Sequence, residues 1–523
     1  MKLRLLPWIL AAICFAPGLG GQFVLDDLLA IVTNPVVTGQ KGAHEAFLRT
    51  FWGRPLHEPP TAYRPLTTLL FRLEHAVLGP SPLGFHAVGL ALYLALVWAA
   101  FRLARLYLEE RAAALAISLF AVCPLHVENV TSLVGAADML ALLASLGALL
   151  LLSPTLGGGP APSVARTLGA AGLQGLALLS KEGAATWPAV AAVLLVCSLP
   201  PGAPWRQRLR RLGPALWLGG VTLGYLLLRV RLLPLTFHNP IPDDVLAGAS
   251  VGARVRFALG LLASYARLLA VPLDLCTGRK YAEVALPQTL DGAAVAGAVL
   301  LGAALWVTLR QGCAGRPPWL LCALICFSLY SSLLFPVPEA MADRFMLAPS
   351  LFLSLWLGPA LAQLARGGTA RRALLVLLLG SHGALAAAQT RVWRTTLTLL
   401  EHSVVACPNS IHNHVRLADE LSRVGRHAEA AWHYAVARAG RAHFPHPWSH
   451  PAREAELDLP PQVRLARLPE LLGATEPADR YRARLAAFLM HLGRPQEARL
   501  VRLASELPLA PENQNASVTP ARP

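Results

Sequence analysis

Two adjacent carboxylates, Asp26 and Asp27, follow the first apolar segment in the stretch Phe23-Val-Leu-Asp-Asp27. At the edge of an apolar segment a carboxylate is partly desolvated, and a like-charged neighbour raises its pKa further, so either side chain could act as a general base. The pair could instead cap a helix, bind a cation or be simply solvated. The functional interpretation predicts that this stretch is the catalytic edge of a membrane enzyme.

A second polar group lies around His126, which stands two residues before Glu128, while Asp138 follows near the start of the next apolar segment. These side chains could orient an acceptor, hold a divalent ion or cap helix ends. An isolated His-x-Glu pattern is a weak signal, so the residues alone favour capping. A divalent metal held by these side chains is the one cofactor that the sequence suggests.

Lys181 is one of four lysines in the sequence, and it lies beside Glu182 between two apolar segments. An ionisable residue at membrane depth is a functional hypothesis by default, with the neighbouring charge as its partner. A lysine there suits the phosphate of a lipid carrier. The alternative is a lysine that extends toward the interface and forms a local ion pair.

Two arginines complete the candidate site. Arg344 follows Asp343 between two apolar segments, where a guanidinium could bind phosphate oxygens bidentately or serve as an interfacial anchor. Arg64, in Tyr63-Arg64-Pro65, could contact substrate, although tyrosine and arginine are ordinary residues of a membrane interface.

The composition places these side chains in a multi-pass membrane protein. The chain has 523 residues, is 55% hydrophobic and has a mean hydropathy of +0.48, with repeated apolar runs long enough to cross a bilayer. The net charge of +16 comes from arginines clustered in short loops, which is typical of cytoplasmic loops and speaks against nucleic-acid binding. The eight cysteines lie singly, without zinc-ligand spacing, so we expect neither metal clusters nor structural disulfides.

Spanning length and loop charge predict about eleven crossings and one interfacial helix at about 257–271. The first segment, Met1 to Gly21, is interpreted as a retained helix with a cytoplasmic N-terminus, which places Asp26 and the C-terminal tail on the far side. We expect the crossings at about 1–21, 85–102, 112–124, 138–152, 168–179, 184–199, 212–228, 293–309, 319–335, 347–364 and 373–388.

A soluble helical segment follows the membrane domain. Leu417, Leu421, Gly425, Ala430 and Tyr434 stand near the small and large positions of a tetratricopeptide unit, and a looser second copy covers 481–498. We therefore predict a membrane domain at 1–389, a helical domain at 390–507 and a disordered, proline-rich tail at 508–523.

Several short motifs follow one another along the chain. They are Phe23–Asp27 with Asn34-Pro35, Phe51-Trp-Gly53, Tyr63–Thr67 with Phe71-Arg72, Phe85-His86, Pro124–Glu128 with Gly135 and Asp138, Ser180-Lys-Glu182, Asp343-Arg344-Phe345 with Pro349-Ser350, and Trp393 with Cys407-Pro-Asn409. In this order they resemble the transmembrane and tetratricopeptide-repeat O-mannosyltransferases of the GT-C glycosyltransferase superfamily. The resemblance covers most of the membrane domain.

The resemblance implies an all-α bundle of GT-C type that moves a sugar, expected to be mannose, from a polyprenyl-phosphate donor to a hydroxyl of a protein acceptor on the lumenal or periplasmic face. Asp26 or Asp27 would be the base. Lys181 and Arg344 would hold the phosphate, and His126 and Glu128 would line the acceptor side. Membrane lipids are the other expected partners.

The sequence departs from the family at two points. It has two weak repeats where the family has many, and Ala342-Asp343-Arg344 stands where a glutamate is expected before the arginine. These departures leave the acceptor open among a protein, a lipid and a cell-envelope glycan. The residue bias favours a bacterial inner membrane, with the endoplasmic reticulum membrane as the eukaryotic equivalent. A non-enzymatic membrane scaffold with partner-recruiting repeats is the alternative function.

Overall fold

The computed structural model describes residues 3–58, 62–200, 202–233, 246, 249–279, 291–313, 316–333, 337 and 339–441. These residues are almost entirely helical. No strand occurs among them, although two isolated antiparallel bridges join Arg49 to Pro55 and Arg279 to Met341. The predicted all-α class is therefore confirmed.

Residues 6–197 form nine α-helices, several of which have proline in their first turn, where its missing N–H leaves no bond unmade. They are α1 (Leu6–Phe15), α2 (Pro65–Leu78), α3 (Pro82–Ala104), α4 (Glu110–Ala121), α5 (Val127–Thr131), α6 (Ala136–Leu151), α7 (Ser153–Leu156), α8 (Val164–Ser180) and α9 (Trp187–Cys197).

The remaining described helices are α10 (Trp205–Arg211), α11 (Gly213–Leu232), α12 (Val251–Ala270), α13 (Gly292–Cys313), α14 (Trp319–Ser328), α15 (Leu347–Arg366), α16 (Thr369–Val392), α17 (Thr396–Ala406), α18 (Ile411–Arg423) and α19 (His427–Arg441).

Among the described residues, seven helical segments are long and apolar enough to cross a membrane, or eight if the bent pair Glu110–Ala121 and Pro124–Thr131 is one span. Glu182–Cys197 and Trp319–Ser328 are apolar but shorter. The multi-pass character is thus confirmed, whereas the number of eleven crossings stays a prediction. The seven are Leu3–Gly20, Pro82–Ala104, Leu133–Leu151, Gly213–Leu232, Gly292–Gly312, Asp343–Arg366 and Thr369–Val392.

The core of the bundle lies where α6 packs on α8 and α3, and where α15 packs on α4 and α14. Small residues allow the α4 and α15 backbones to approach closely, as is common between membrane helices. A Cβ at Gly358 of α15 would lie 3.1 Å from the Ala112 carbonyl oxygen and the Ala116 Cβ. This central packing brings the first turns of α6 and α15 and the end of α8 together at one level of the bundle.

The chain divides into two compact units, Met1–Pro408 and Asn409–Pro523. In the second unit α18 and α19 pack on each other around buried Leu417 and Leu421, and the Tyr434 hydroxyl donates a 2.6 Å hydrogen bond to Asp419. The turn between these helices contains Gly425 at a φ of 83°, which a glycine adopts at little cost. The predicted domain boundaries and the tetratricopeptide assignment stay predictions.

One expectation about the cysteines is wrong. Cys276, after α12, and Cys407, after α17, form a disulfide in the first unit across a sequence separation of 131 residues. Such a distance hides the pairing from any local spacing pattern, because only the tertiary fold brings the two segments together. The predicted topology puts both cysteines on the far side, and structural disulfides are typical of an oxidising compartment.

Some predicted features lie outside the described residues. They are the second repeat copy at 481–498 and the tail at 508–523.

Candidate functional site

The first loop holds its two aspartates in different environments. Asp27 is fully buried, and its carboxylate accepts hydrogen bonds of 3.0 Å from the Val24 and Val134 amides. Burial raises the pKa of the Asp27 carboxyl to about 7, although the amide hydrogen bonds lower it. One carboxylate oxygen of Asp27 therefore joins this loop to the segment before α6, and the other accepts a hydrogen bond from within the loop.

Asp26 is half-buried and lies close enough to Arg344 to interact with it electrostatically. The residue before it, Leu25, adopts a left-handed φ of 46°, which costs a non-glycine residue about 1 kcal/mol or more. Strained backbone of this kind clusters at functional sites. Nothing in the local residue pattern indicated that the two neighbouring carboxylates would differ in this way.

Arg64 stands immediately before α2 and binds Glu182. Its guanidinium donates to both carboxylate oxygens, at 2.9 and 3.4 Å, and stacks over the Phe51 ring at 5.1 Å. Arg229 of α11 lies 4.0 Å from the same carboxylate. Glu182 is thus bound between two arginines, whereas the sequence suggested Lys181 as its partner.

Lys181, which follows α8, instead forms an ion pair with Asp138 in the first turn of α6. Both side chains are more than nine-tenths buried. Burying two charges is costly unless they are paired, and the pair places an ammonium and a carboxylate at fixed positions inside the bundle.

Arg344 precedes α15 and is held by Glu128 of α5. The Glu128 carboxylate accepts a 2.9 Å hydrogen bond from the Arg344 amide and a second bond from its guanidinium. The Asn129 side-chain amide donates to the Arg344 carbonyl at 3.3 Å. Arg344 also interacts electrostatically with Asp138, which links this pair to the Lys181 pair.

Asp343 pairs with Arg279, with 3.5 Å between the guanidinium and the carboxylate. The backbones of Arg279 and Met341 bond reciprocally, at 2.7 and 3.2 Å. The Tyr265 hydroxyl contacts both the amide and the carbonyl of Ala342 at 3.0 Å. These contacts hold the segment that leads to Arg344. The sequence reasoning missed Arg279 and Tyr265, which carry no motif.

His126 is fully buried in the core. One ring nitrogen lies 2.8 Å from the Tyr93 hydroxyl, and the other lies 2.8 Å from the Ser350 hydroxyl in the first turn of α15. Both nitrogens are therefore occupied within the protein, which suits a residue that fixes the helices around the site.

A cavity of about 30 Å³ lies between these groups. Asp138, Lys181 and Arg344 supply its charged lining, and Tyr330, which the sequence reasoning missed, adds a phenol. The volume is enough for about two water molecules. Within the described part of the chain, no group of three or more His, Cys, Asp or Glu side chains is placed to hold a metal ion.

The chain resembles curated proteins named protein O-mannosyl-transferases. It is 27% identical to human TMTC1 over 82% of this chain and 54% of that protein, and 26% identical to Drosophila melanogaster Tmtc3 over 81% of this chain and 53% of that protein. Drosophila Tmtc1 is 40% identical over a shorter region, 25% of this chain and 16% of that protein.

The chain spans about half the length of the curated relatives that it matches over most of its own sequence. No family model matches it, and no solved structure matches it. The relatives nevertheless confirm the resemblance that the motifs indicated: the chain is similar over most of its length to curated proteins named TMTC protein O-mannosyl-transferases.

Proposed function

We propose that this chain is an integral-membrane glycosyltransferase that moves a sugar, expected to be mannose, from a polyprenyl-phosphate donor to a serine or threonine hydroxyl of a protein acceptor. We further propose that it acts on the lumenal face of the endoplasmic reticulum membrane, because the relatives named above are animal proteins. The names of the relatives support the reaction class.

One observation carries the proposal: charged residues from distant parts of the chain converge on one buried cluster. Asp26, Asp138 and Glu128 interact with Arg344, and Lys181 interacts with both Asp138 and Arg344. Buried charges are expensive, and sites with ionisable groups inside a membrane protein are usually functional. A scaffold has no need of such a cluster.

Asp26 is the proposed base. Asp27 is fully buried, whereas Asp26 is half-buried and lies near Arg344. Asp26 takes the proton of the acceptor hydroxyl as the hydroxyl oxygen bonds to the anomeric carbon of the sugar. The bond from that carbon to the phosphate oxygen breaks, and the polyprenyl phosphate leaves with the electron pair.

Lys181 and Arg344 are the proposed phosphate-binding residues. Negative charge grows on the phosphate as it leaves, and preformed cations in a water-poor site stabilise such charge strongly. In this scheme Asp138 and Glu128 hold the two cations in place before the donor binds. The positioning residues in this scheme are Arg64, Glu182, Asp343 and His126. A divalent metal stays an option, and mannose transfer in the presence of EDTA would test it.

The direct test is transfer of radiolabelled mannose from polyprenyl-phosphate-mannose to a serine- and threonine-containing protein by the purified full chain in detergent. We expect Asp26→Asn to lower the rate by about 10²-fold to 10⁴-fold, the usual contribution of general-base catalysis. Asp274→Asn is the matched control, because that carboxylate is half-exposed and pairs with a surface arginine, Arg267.

If Asp26→Asn transfers mannose at the rate of the parent, Asp26 is not the base. Absence of transfer by the parent chain with several donor sugars would overturn the enzymatic proposal and favour the scaffold.

A further inference from the structure

Tyr330 lies just after α14, and its ring is held firmly beside the candidate phosphate-binding residues. The ring stacks on that of Phe345, with 4.3 Å between the centroids and 10° between the planes. Phe345 directly follows Arg344, whose guanidinium lies 5.4 Å from the same Phe345 ring. The position of the tyrosine is thus coupled to that of Arg344.

The hydroxyl end of Tyr330 points at the segment that carries Lys181. A Cβ placed on Gly183 would lie 2.5 Å from the Tyr330 hydroxyl oxygen, closer than real Cβ contacts allow. Gly183 therefore leaves the space that the hydroxyl occupies. Any larger residue at this position would displace the phenol from the cavity.

The other polar groups of the cavity have partners, whereas the Tyr330 hydroxyl has none among the residues that the structure describes. Lys181 binds Asp138, and Arg344 binds Glu128. The cavity is lined by Tyr330 together with Asp138, Lys181 and Arg344. The half-buried tyrosine borders the same cavity as two cations, so its hydroxyl is available as a donor to an acceptor that enters there.

The chemistry of that acceptor follows from the neighbouring charges. A phenol has an ordinary pKa of about 10, so it keeps its proton at neutral pH and can donate it to an anion. A phosphate oxygen beside Lys181 and Arg344 would meet two cations that already have carboxylate partners. It would also meet the neutral Tyr330 hydroxyl, which can donate a hydrogen bond without breaking an existing one. A phenol therefore adds binding without adding charge.

We propose that the Tyr330 hydroxyl donates a hydrogen bond to a phosphate oxygen of the polyprenyl-phosphate donor, between Lys181 and Arg344. This inference rests on the proposed function and deepens it by naming a phosphate contact outside the sequence motifs. The bond strengthens as the phosphate gains negative charge in the transition state, so Tyr330 acts on the reaction itself as well as on donor binding.

Tyr330→Phe removes the hydroxyl and keeps the stacked ring. Hydrogen bonds to charged groups contribute enough that we expect kcat/KM for the donor to fall by about tenfold to a hundredfold. The KM for the protein acceptor should stay unchanged. Tyr107→Phe is the matched control, because the Tyr107 hydroxyl is buried without a partner in the described chain and its ring packs on Trp319, away from the cavity.

A binding measurement separates this inference from the proposed function. Farnesyl phosphate, a short polyprenyl phosphate, should raise the thermal unfolding midpoint of the parent and of Tyr107→Phe, and raise that of Tyr330→Phe less. Farnesol, which lacks the phosphate, should affect all three proteins equally. Gly183→Ala, which crowds the hydroxyl, should weaken the farnesyl phosphate effect in the same way.

Equal farnesyl phosphate shifts in Tyr330→Phe and Tyr107→Phe would overturn the inference, whether or not the parent transfers mannose. A different result is a parent that binds farnesyl phosphate with a Tyr330-dependent shift of the unfolding midpoint and yet transfers no mannose. That result would overturn the proposed reaction and support the phosphate contact.

Discussion

The Glu128 carboxylate accepts hydrogen bonds from both the backbone amide and the guanidinium of Arg344, which lies 216 residues later in the sequence. The Glu128 carboxylate thus contacts both the backbone and the side chain of the arginine, and Glu339 lies 3.9 Å from the same guanidinium. The ion pair joins α5 to the start of α15, two elements that the sequence motifs alone could not place together.

Glu128→Gln should disrupt this arrangement while keeping the size of the side chain. The amide can accept one of the two hydrogen bonds, but it cannot balance the guanidinium. Breaking a largely buried pair by removing one charge costs about 3 kcal/mol or more, so we expect a clear fall in the unfolding midpoint and loss of mannose transfer. Both are measurable on the purified protein in detergent.

The matched control is Glu109→Gln, because Glu109 pairs with Arg366 where both side chains are about half-exposed. A surface pair contributes about 0–1 kcal/mol, so this variant should resemble the parent. Equal effects of the two substitutions would contradict a special role for the Glu128 pair.

Lys181 and Asp138 allow stability to be separated from activity. Lys181→Met leaves the Asp138 carboxylate buried without its cation, which should cost about 3–5 kcal/mol. The double variant Lys181→Met with Asp138→Leu removes both charges, and we expect it to recover much of the lost stability. Thermal unfolding of the parent, the single variants and the double variant measures this coupling.

Transfer should not recover in the double variant, because the proposed phosphate-binding ammonium is still missing. A double variant with restored stability and restored transfer would show that the pair is structural only. Strict additivity of the two substitutions would contradict the contact itself.

The sequence predicted most of what depends on composition and local pattern. Apolar length predicted the helical membrane fold, because backbone groups inside a bilayer must be bonded within a helix or barrel. The ordered motifs also indicated residues of the cluster, since Asp138, Lys181 and Arg344 do meet at one cavity. Each of these signals can be read from neighbours in the chain.

The sequence could not predict which charge pairs with which. Glu182 stands next to Lys181, yet it binds Arg64, 118 residues away, while Lys181 binds Asp138. Adjacent residues leave a helix end in different directions, so sequence proximity misled the assignment. Tyr330 was hidden for another reason, because it lies inside the predicted apolar crossing at about 319–335, whose hydropathy masks a polar side chain.

Asp27 should make the stability of the protein depend on pH. Burial raises the pKa of its carboxyl from 3.8 to about 7, so between these values the folded state binds more protons than the unfolded state. The contribution of Asp27 is therefore full below about pH 4 and is lost as the pH rises through 7. Unfolding midpoints of the parent should fall over this range.

Asp27→Asn should flatten that part of the profile, because an amide does not titrate. It should also lower the midpoint at every pH, since one backbone amide loses its acceptor. Asp274→Asn, at a half-exposed position, should leave the pH profile of the parent unchanged. Parallel curves for the parent and Asp27→Asn would contradict the buried titration.

The Cys276–Cys407 disulfide should stabilise the membrane unit and support the Arg344 segment. It closes a loop of 131 residues, and removing a native disulfide typically costs about 2–4 kcal/mol. Cys276 lies three residues before Arg279, whose backbone and side chain bind Met341 and Asp343. We therefore expect Cys276→Ser to lower both the unfolding midpoint and the transfer rate.

Cys197→Ser is the control, because that thiol is free, and it should leave both quantities near those of the parent. Maleimide labelling of the denatured parent should detect two additional thiols after reduction, and Cys276→Ser should not show this gain. Full labelling of the parent without a reductant would contradict the disulfide. A normal transfer rate in Cys276→Ser would show instead that Tyr265 and Arg279 position Arg344 without the cross-link, because both bind its segment directly.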